Sequence, residues 1–194
     1  MRKKVYGSDV SRGQFDLVRP LLGGVRRRTK PRTVDLYEVF SGVLYVLKSS
    51  CQWRMLPGEF PKWRTVHSYF QKWSEPGPDG ISILEWALKK SVGEERARQG
   101  RNSTTSFLIV DAQSVKNTDT AGQKGYDAGK KVSGIQRHIA VDTRGLPHAL
   151  AVTTAEVTDR TGALAAFDRC ADNLQQITSV AGKTRRHRAS RQTQ

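Results

Sequence analysis

Cysteine is scarce in this 194-residue chain: there are two, Cys51 and Cys170, far apart and without Cys-x-x-Cys or Cys/His ligand spacing. That argues against a zinc site and against the disulfide framework of a secreted domain, and reduced thiols fit a cytoplasm. A long hydrophobic run is also lacking. The opening MRKKVYGSDVSRGQFD turns polar where a signal peptide needs an apolar stretch, and no later segment approaches a membrane span. A soluble, cytoplasmic protein with no membrane partner is therefore expected. Internal repeats and low-complexity tracts are missing too, so repeat arrays are excluded. The length suffices for one or two domains, each with its own core.

Acidic residues are in short supply. Asp and Glu number 18 against 33 Lys and Arg, a formal net charge of +15. A field of that sign concentrates polyanions, and each phosphate neutralised releases counterions, which makes nucleic acid the natural counter-charge. A ribosome-associated or merely cationic surface stays open on charge alone. Arg2, Lys3, Lys4, Arg26, Arg27, Arg28, Lys30 and Arg32 crowd the opening segment. They read as a phosphate-contacting arm or, given Gly23, Gly24 and Pro31, as a solvated linker.

On either side of that basic run the spacing is helical. Phe15, Val18, Leu21 and Leu22 share a face after Ser8 or Ser11 as N-cap. Leu36, Val39, Phe40, Val43, Leu44 and Leu47 form a second stripe after Thr33 or Asp35. CQWRMLPGEFPKW is broken by Pro57, Gly58 and Pro61 into a turn before a third helix, about Trp63 to Trp73. There Trp63, Val66, Phe70 and Trp73 could pack inward, leaving Arg64, His67 and Lys72 to solvent or DNA. Three short helices in this order resemble a helix-turn-helix module. After the EPGPDG linker a fourth helix is predicted from about Ile81 to Arg98. The four tryptophans, Trp53, Trp63, Trp73 and Trp86, read as packing residues.

Beyond residue 105 the period changes. SFLIVD, ending at Asp111, reads as a short buried strand; GIQRHIAVD and HALAVTTA read as a hairpin around TRGLP. A helix opens at Asp159, with Leu164, Phe167 and Cys170 or Ala171 inward, and ITSV begins another strand. This order is that of the front half of a ribonuclease H-like α/β domain, so the predicted class is α+β: a helical region over 1–100, an incomplete α/β domain over 101–180 and a disordered basic tail over 181–194. Asp111, emerging from an apolar strand, is a candidate oxygen ligand for a hard cation, or a turn-former. Asp142 reads as the first residue of the DTRG turn, and His138 and His148 as structural. Lys116, Lys124, Lys130, Lys131 and Arg137 gather around the first two strands and could follow a DNA backbone. Gly125, Gly129 and Gly134 suggest a mobile loop among them.

The segments CQWRMLPGEFPKWRTVHSYFQKW, VDAQSVKNTD, KGYDAGKKVSGIQRHIAVDTRGLPHALAVT and AEVTDRTGA, in that order, resemble the transposases of the insertion sequence five family. The resemblance implies a DDE-class enzyme that binds double-stranded DNA at element ends. It implies a helical DNA-binding region followed by a ribonuclease H-like domain. Three carboxylates of that domain hold two divalent ions, Mg²⁺ or Mn²⁺, which activate the nucleophile and stabilise the leaving oxygen in cleavage and strand transfer. Asp111 of VDAQSV matches the first of the three. The second Asp is expected just beyond ITSV, where the chain instead reads AGKTRRHRASRQTQ, with no acidic residue. The third has no counterpart. The resemblance thus implies either a first-frame product or a truncated copy, self-associating or joining full-length transposase, with a non-enzymatic regulator of transposition as the alternative.

Overall fold

The computed structural model describes residues 5–24, 33–118, 122–168 and 176–182. The chain is α+β and divides into two compact units, Met1–Arg98 and Gln99–Gln194.

The first unit is helical. α1 (Arg12–Gly23) starts at Ser11, whose hydroxyl accepts from the Gln14 amide while the Gln14 side chain accepts from the Ser11 amide. This reciprocal box satisfies two amides the helix cannot pair internally. α2 (Leu36–Ser49) is capped by Asp35 and ends on Ser50 in the left-handed region. A 3-10 turn (Trp53–Met55) precedes α3 (Trp63–Ser74). α4 (Ile83–Arg98) begins two residues later than its apolar pattern suggests. Ile81 is held in a turn by the Asp79 carboxylate, and Ser82 with Glu85 forms a second capping box.

Phe15, Val18, Leu22, Leu36, Val39, Val43, Val66, Trp73 and Ala87 make the core. The predicted stripes supply most of it. Trp73 is fully buried, and its indole N–H donates to the Leu22 carbonyl at 3.1 Å, so its one polar atom is satisfied. Gly42 brings α2 against α3, because a Cβ there would lie 3.2 Å from Val66 Cγ1. Two expectations fail. Leu47, in the last turn of α2, is exposed and Val46 is buried instead, while Trp86 of α4, read as a packing residue, is exposed.

The second unit is a mixed sheet. β1 (Phe107–Lys116) runs antiparallel to β3 (Val132–Val141) from Ile109↔Val141 to Lys116↔Gly134, and parallel to β5 (Ser179–Gly182) from Phe107↔Ser179 to Val110↔Gly182. The opposite edge of β3 pairs with β4 (Pro147–Thr154) and with β2 (Gly125–Asp127). The predicted mobile loop is therefore corrected: Gly125 and Gly134 are a cross-strand pair. Gly134 is needed because a Cβ there would stand 2.1 Å from the Val115 carbonyl oxygen.

α5 (Asp159–Asp168) covers one face of the sheet, and Leu108, Ala140, Ala149, Ala151 and Ala166 form the small core between them. Leu164, predicted inward, is exposed; Gly162 and Ala166, four residues apart, face the sheet instead. Small residues on this row let the helix sit close to the sheet. Cys170 and Ala171 lie outside the described residues.

The close approach is at His138, which is fully buried beneath Gly162. His138 Nε2 lies 2.9 Å from the Thr153 hydroxyl, which is also 3.2 Å from the Thr154 carbonyl oxygen. The other ring nitrogen, Nδ1, is buried without a hydrogen-bond partner among the described residues. Burial holds the imidazole below its ordinary value of 6.5, a shift opposed by the Asp159 carboxylate and reinforced by the Lys130 ammonium.

Two predictions follow from this packing. In Gly162→Ala the new methyl would fall 2.0 Å from the His138 ring. Alanine gains up to about 1 kcal/mol in a helix over glycine, but overpacking typically costs about 1–3 kcal/mol, so equilibrium urea unfolding should show a net loss. Because His138 is depressed in the folded state, the unfolded chain binds more protons below pH 6.5. Stability should be full above that pH and decline as pH falls through the folded value. His138→Gln should flatten that limb of the pH–stability curve, leaving the more acidic carboxylate limb in place.

Candidate functional site

Along β1 the side chains alternate. Leu108, Val110 and Ala112 face α5, while Ile109, Asp111 and Gln113 face the other way and are exposed. Asp111 therefore does not end its strand, as the apolar run suggested. Hydrogen bonding to β3 carries β1 five residues further, to Lys116, and Asp111 stands mid-strand opposite Ile139. Among the described residues the parallel ladder with β5 runs to Val110↔Gly182. Asp111 follows Val110 on β1, with its carboxylate open to solvent.

The same face carries Ile135, Arg137, Ile139 and Val141 of β3 and Leu150 and Val152 of β4. Ile109, Leu150 and Val152 are exposed, and among the described residues nothing covers them. Arg137 lies diagonally from Asp111, where its guanidinium donates to Gln113 Oε1 at 2.6 Å. Among these aliphatic side chains the face carries Asp111, Gln113 and the cationic Arg137 as neighbours.

The lysines around the site differ in what they do. Lys116 is exposed at the end of β1, Lys124 just before β2, and Lys131 in the β2–β3 turn with φ at +54°. Lys130 is turned inward: its ammonium lies 3.4 Å from both Asp127 and Asp159. Asp127 also accepts from the Lys130 amide and from Ser114, and these bonds hold its carboxyl below the usual range. Lys130 thus fastens the turn to α5, and Gln136 donates to the same Asp159 carboxylate.

In the helical unit Arg64 is exposed on α3, with its guanidinium carbon 5.5 Å from the Trp63 ring centre, and Arg54 from the 3-10 turn lies 5.6 Å from the same ring. Lys72 is exposed beside Tyr69. His67, read as facing solvent or DNA, is half-buried, with its ring edge-on to Trp53 at 4.9 Å. Arg26, Arg27, Arg28 and Lys30 lie outside the described residues. Arg54 was missed because its segment read only as a turn; an arginine beside a tryptophan in that turn was the available signal.

Asp142 fills the turn role expected of it. Its Oδ1 accepts from the amides of Arg144 and Leu146, and its Oδ2 lies 3.6 Å from Arg101 and from His148.

Residues 102–184 match the transposase DDE domain, which places the second unit in the class of ribonuclease H-like DNA transposases. Residues 10–78 match the transposases of the IS4/5 family. The two matches span most of the chain, which belongs to the IS4/5-like DDE transposases. No match was found among curated proteins or solved structures.

The DDE domain works with divalent metal ions. Among the described residues no group of three His, Cys, Asp or Glu side chains could hold one. Asp111 supplies a single carboxylate, whereas a hard cation of this kind takes six or more oxygens, so these residues do not by themselves make up a metal centre. No helix among the described residues is long and apolar enough to cross a membrane.

The Asp111 carboxylate is exposed and, among the described residues, has no ion-pair or hydrogen-bond partner. Asp111→Asn should therefore leave the unfolding free energy from urea titration within about 0.5 kcal/mol of the parent. A larger loss would mean that the carboxylate is structural.

Proposed function

We propose that the chain is a double-stranded-DNA-binding transposase protein, with Asp111 the first of its family's metal-binding carboxylates. The observation that carries this reading is the open carboxylate on the central strand of a domain matched to the DDE family, with the exposed Arg137 diagonal to it on the same face. Arg137, Lys116, Lys124 and Lys131 would follow the backbone near Asp111, with Lys130 holding their turn in place. Arg64 and Lys72, with Arg26, Arg27, Arg28 and Lys30 of the basic run, would engage the duplex through the helical unit, and His67 would support α3 through Trp53. Phosphate contacts of this kind position a protein without reading sequence. Element ends are the proposed target, the cytoplasm the proposed compartment, and Mg²⁺ or Mn²⁺ the proposed ion.

The aliphatic side chains that share the face with Asp111, uncovered among the described residues, support a second element of the reading. A sheet with a parallel pair is normally covered on both sides, so the α/β unit fits a portion of a larger catalytic domain, as in a first-frame product or a truncated copy. The alternative is a non-enzymatic regulator that occupies element ends or joins full-length transposase, a reading compatible with there being no three-ligand metal group among the described residues. Reduced transposition on co-expression with an intact transposase would support that role, and an unchanged rate would remove it.

The test of the main reading is duplex binding against salt, together with a nicking assay. Affinity should fall linearly in log–log form as salt rises, and Arg64→Ala or Lys72→Ala should each reduce the slope by about one if the side chain meets a phosphate. The purified chain should not cleave DNA with Mg²⁺ or Mn²⁺. Salt-independent binding would overturn the DNA reading; cleavage abolished by Asp111→Asn would show that the missing ligands are present after all.

A further inference from the structure

The second unit holds three aromatic residues, Phe107, Tyr126 and Phe167. Phe107 and Phe167 are half-buried, while Tyr126 is 57% exposed. Its cross-strand partner is Ser133, too small to cover a phenol ring, and no aromatic or cationic side chain among the described residues is in ring contact with it. Ser133 and Ile139 are six residues apart on β3, so Tyr126 shares the open face with Asp111. Lys131, in the turn between β2 and β3, is exposed. Lys130 is withdrawn into its ion pairs with Asp127 and Asp159. The hairpin thus presents a ring uncovered among the described residues, with an exposed cation in the adjoining turn fixed by the Asp127 bonds.

An aromatic face beside cations is the chemistry that holds an unpaired nucleotide, the ring stacking on the base and the ammonium groups meeting the flanking phosphates. We infer that Tyr126 is a stacking platform for an unpaired base of the DNA strand that passes Asp111, an inference that rests on the DNA-binding reading above. Six residues of strand span roughly 20 Å. A stacked strand advances about 3.4 Å per nucleotide, so the stacked base lies roughly six nucleotides from the phosphate at Asp111. A fully paired duplex offers no free base face there, so the contact favours frayed or single-stranded flanks.

The test uses the whole chain and two probes: a blunt duplex, and the same duplex with a single-stranded overhang of about six nucleotides carrying 2-aminopurine. The parent and Tyr126→Phe should bind the overhang probe more tightly and quench its fluorescence. Tyr126→Ala should lose the quenching and bind the overhang probe about 5-fold or more weakly, as expected for a stacking contact, with blunt-duplex affinity unchanged. Three outcomes would overturn the inference. Unchanged overhang affinity and quenching in Tyr126→Ala, with duplex binding intact, removes the platform and leaves the DNA reading standing. An equal loss on both probes shows a contact that is not to an unpaired base. Failure of the parent to bind either probe removes the DNA reading and the platform together.

Discussion

The antiparallel ladder between β1 and β3 is the constraint on which the rest of the second unit depends. Eight consecutive pairs, Ile109↔Val141 to Lys116↔Gly134, decide which side chains meet α5 and which meet solvent. A slip of one residue would exchange the two faces, carrying Asp111 under α5 and Leu108 into water. Both ends of the ladder are guarded. Gly134 leaves room for the Val115 carbonyl at one end, and Asp142 secures the turn at the other. The exposed carboxylate is therefore a property of the pairing register as much as of the residue.

Helix and sheet meet through small residues, and this has an electrostatic counterpart. Because Gly162 and Ala166 let α5 approach closely, His138 is sealed from water, and Gln136, Lys130 and Asp127 converge with Asp159 at the helix start. A carboxylate in the first turn of a helix suits the partial positive charge there. The covered face is thus stabilised by a polar cluster at one end and an alanine-rich core at the other.

Much of the architecture was legible in the residues. The core positions Phe15, Val39 and Val66, the hairpin around Asp142 and the family itself followed from spacing and ordered segments, and the structure chose Ser11 over Ser8 and Asp35 over Thr33 as helix caps. What escaped was set by tertiary contacts. The β1 strand reads as ending at Asp111 because its apolar run ends there, yet backbone pairing with β3 prolongs it regardless of side-chain polarity. Tyr126 and the short β2 were hidden among glycines that resemble a loop, since Gly125 and Gly134 are there for a close approach rather than for mobility. Leu164 carried the stronger hydrophobic signal than Gly162, but proximity to the sheet favoured the smaller residue. Likewise the inward turn of Lys130 could not be told from the outward course of Lys131 without knowing where Asp127 and Asp159 lie.

The pairing of β3 with β4 shifts by one between Ala140↔Ala149 and Val141↔Pro147, leaving His148 as the extra residue. Strict alternation would send that imidazole to the open face. The bulge buries it instead, next to buried Ala149 and within 3.6 Å of Asp142. Asp142, His148 and Arg101 are thereby gathered at the hairpin tip, and the bulge keeps the imidazole off the face that displays Leu150 and Val152. One inserted residue thus decides that this edge of the sheet's open face is apolar rather than titratable.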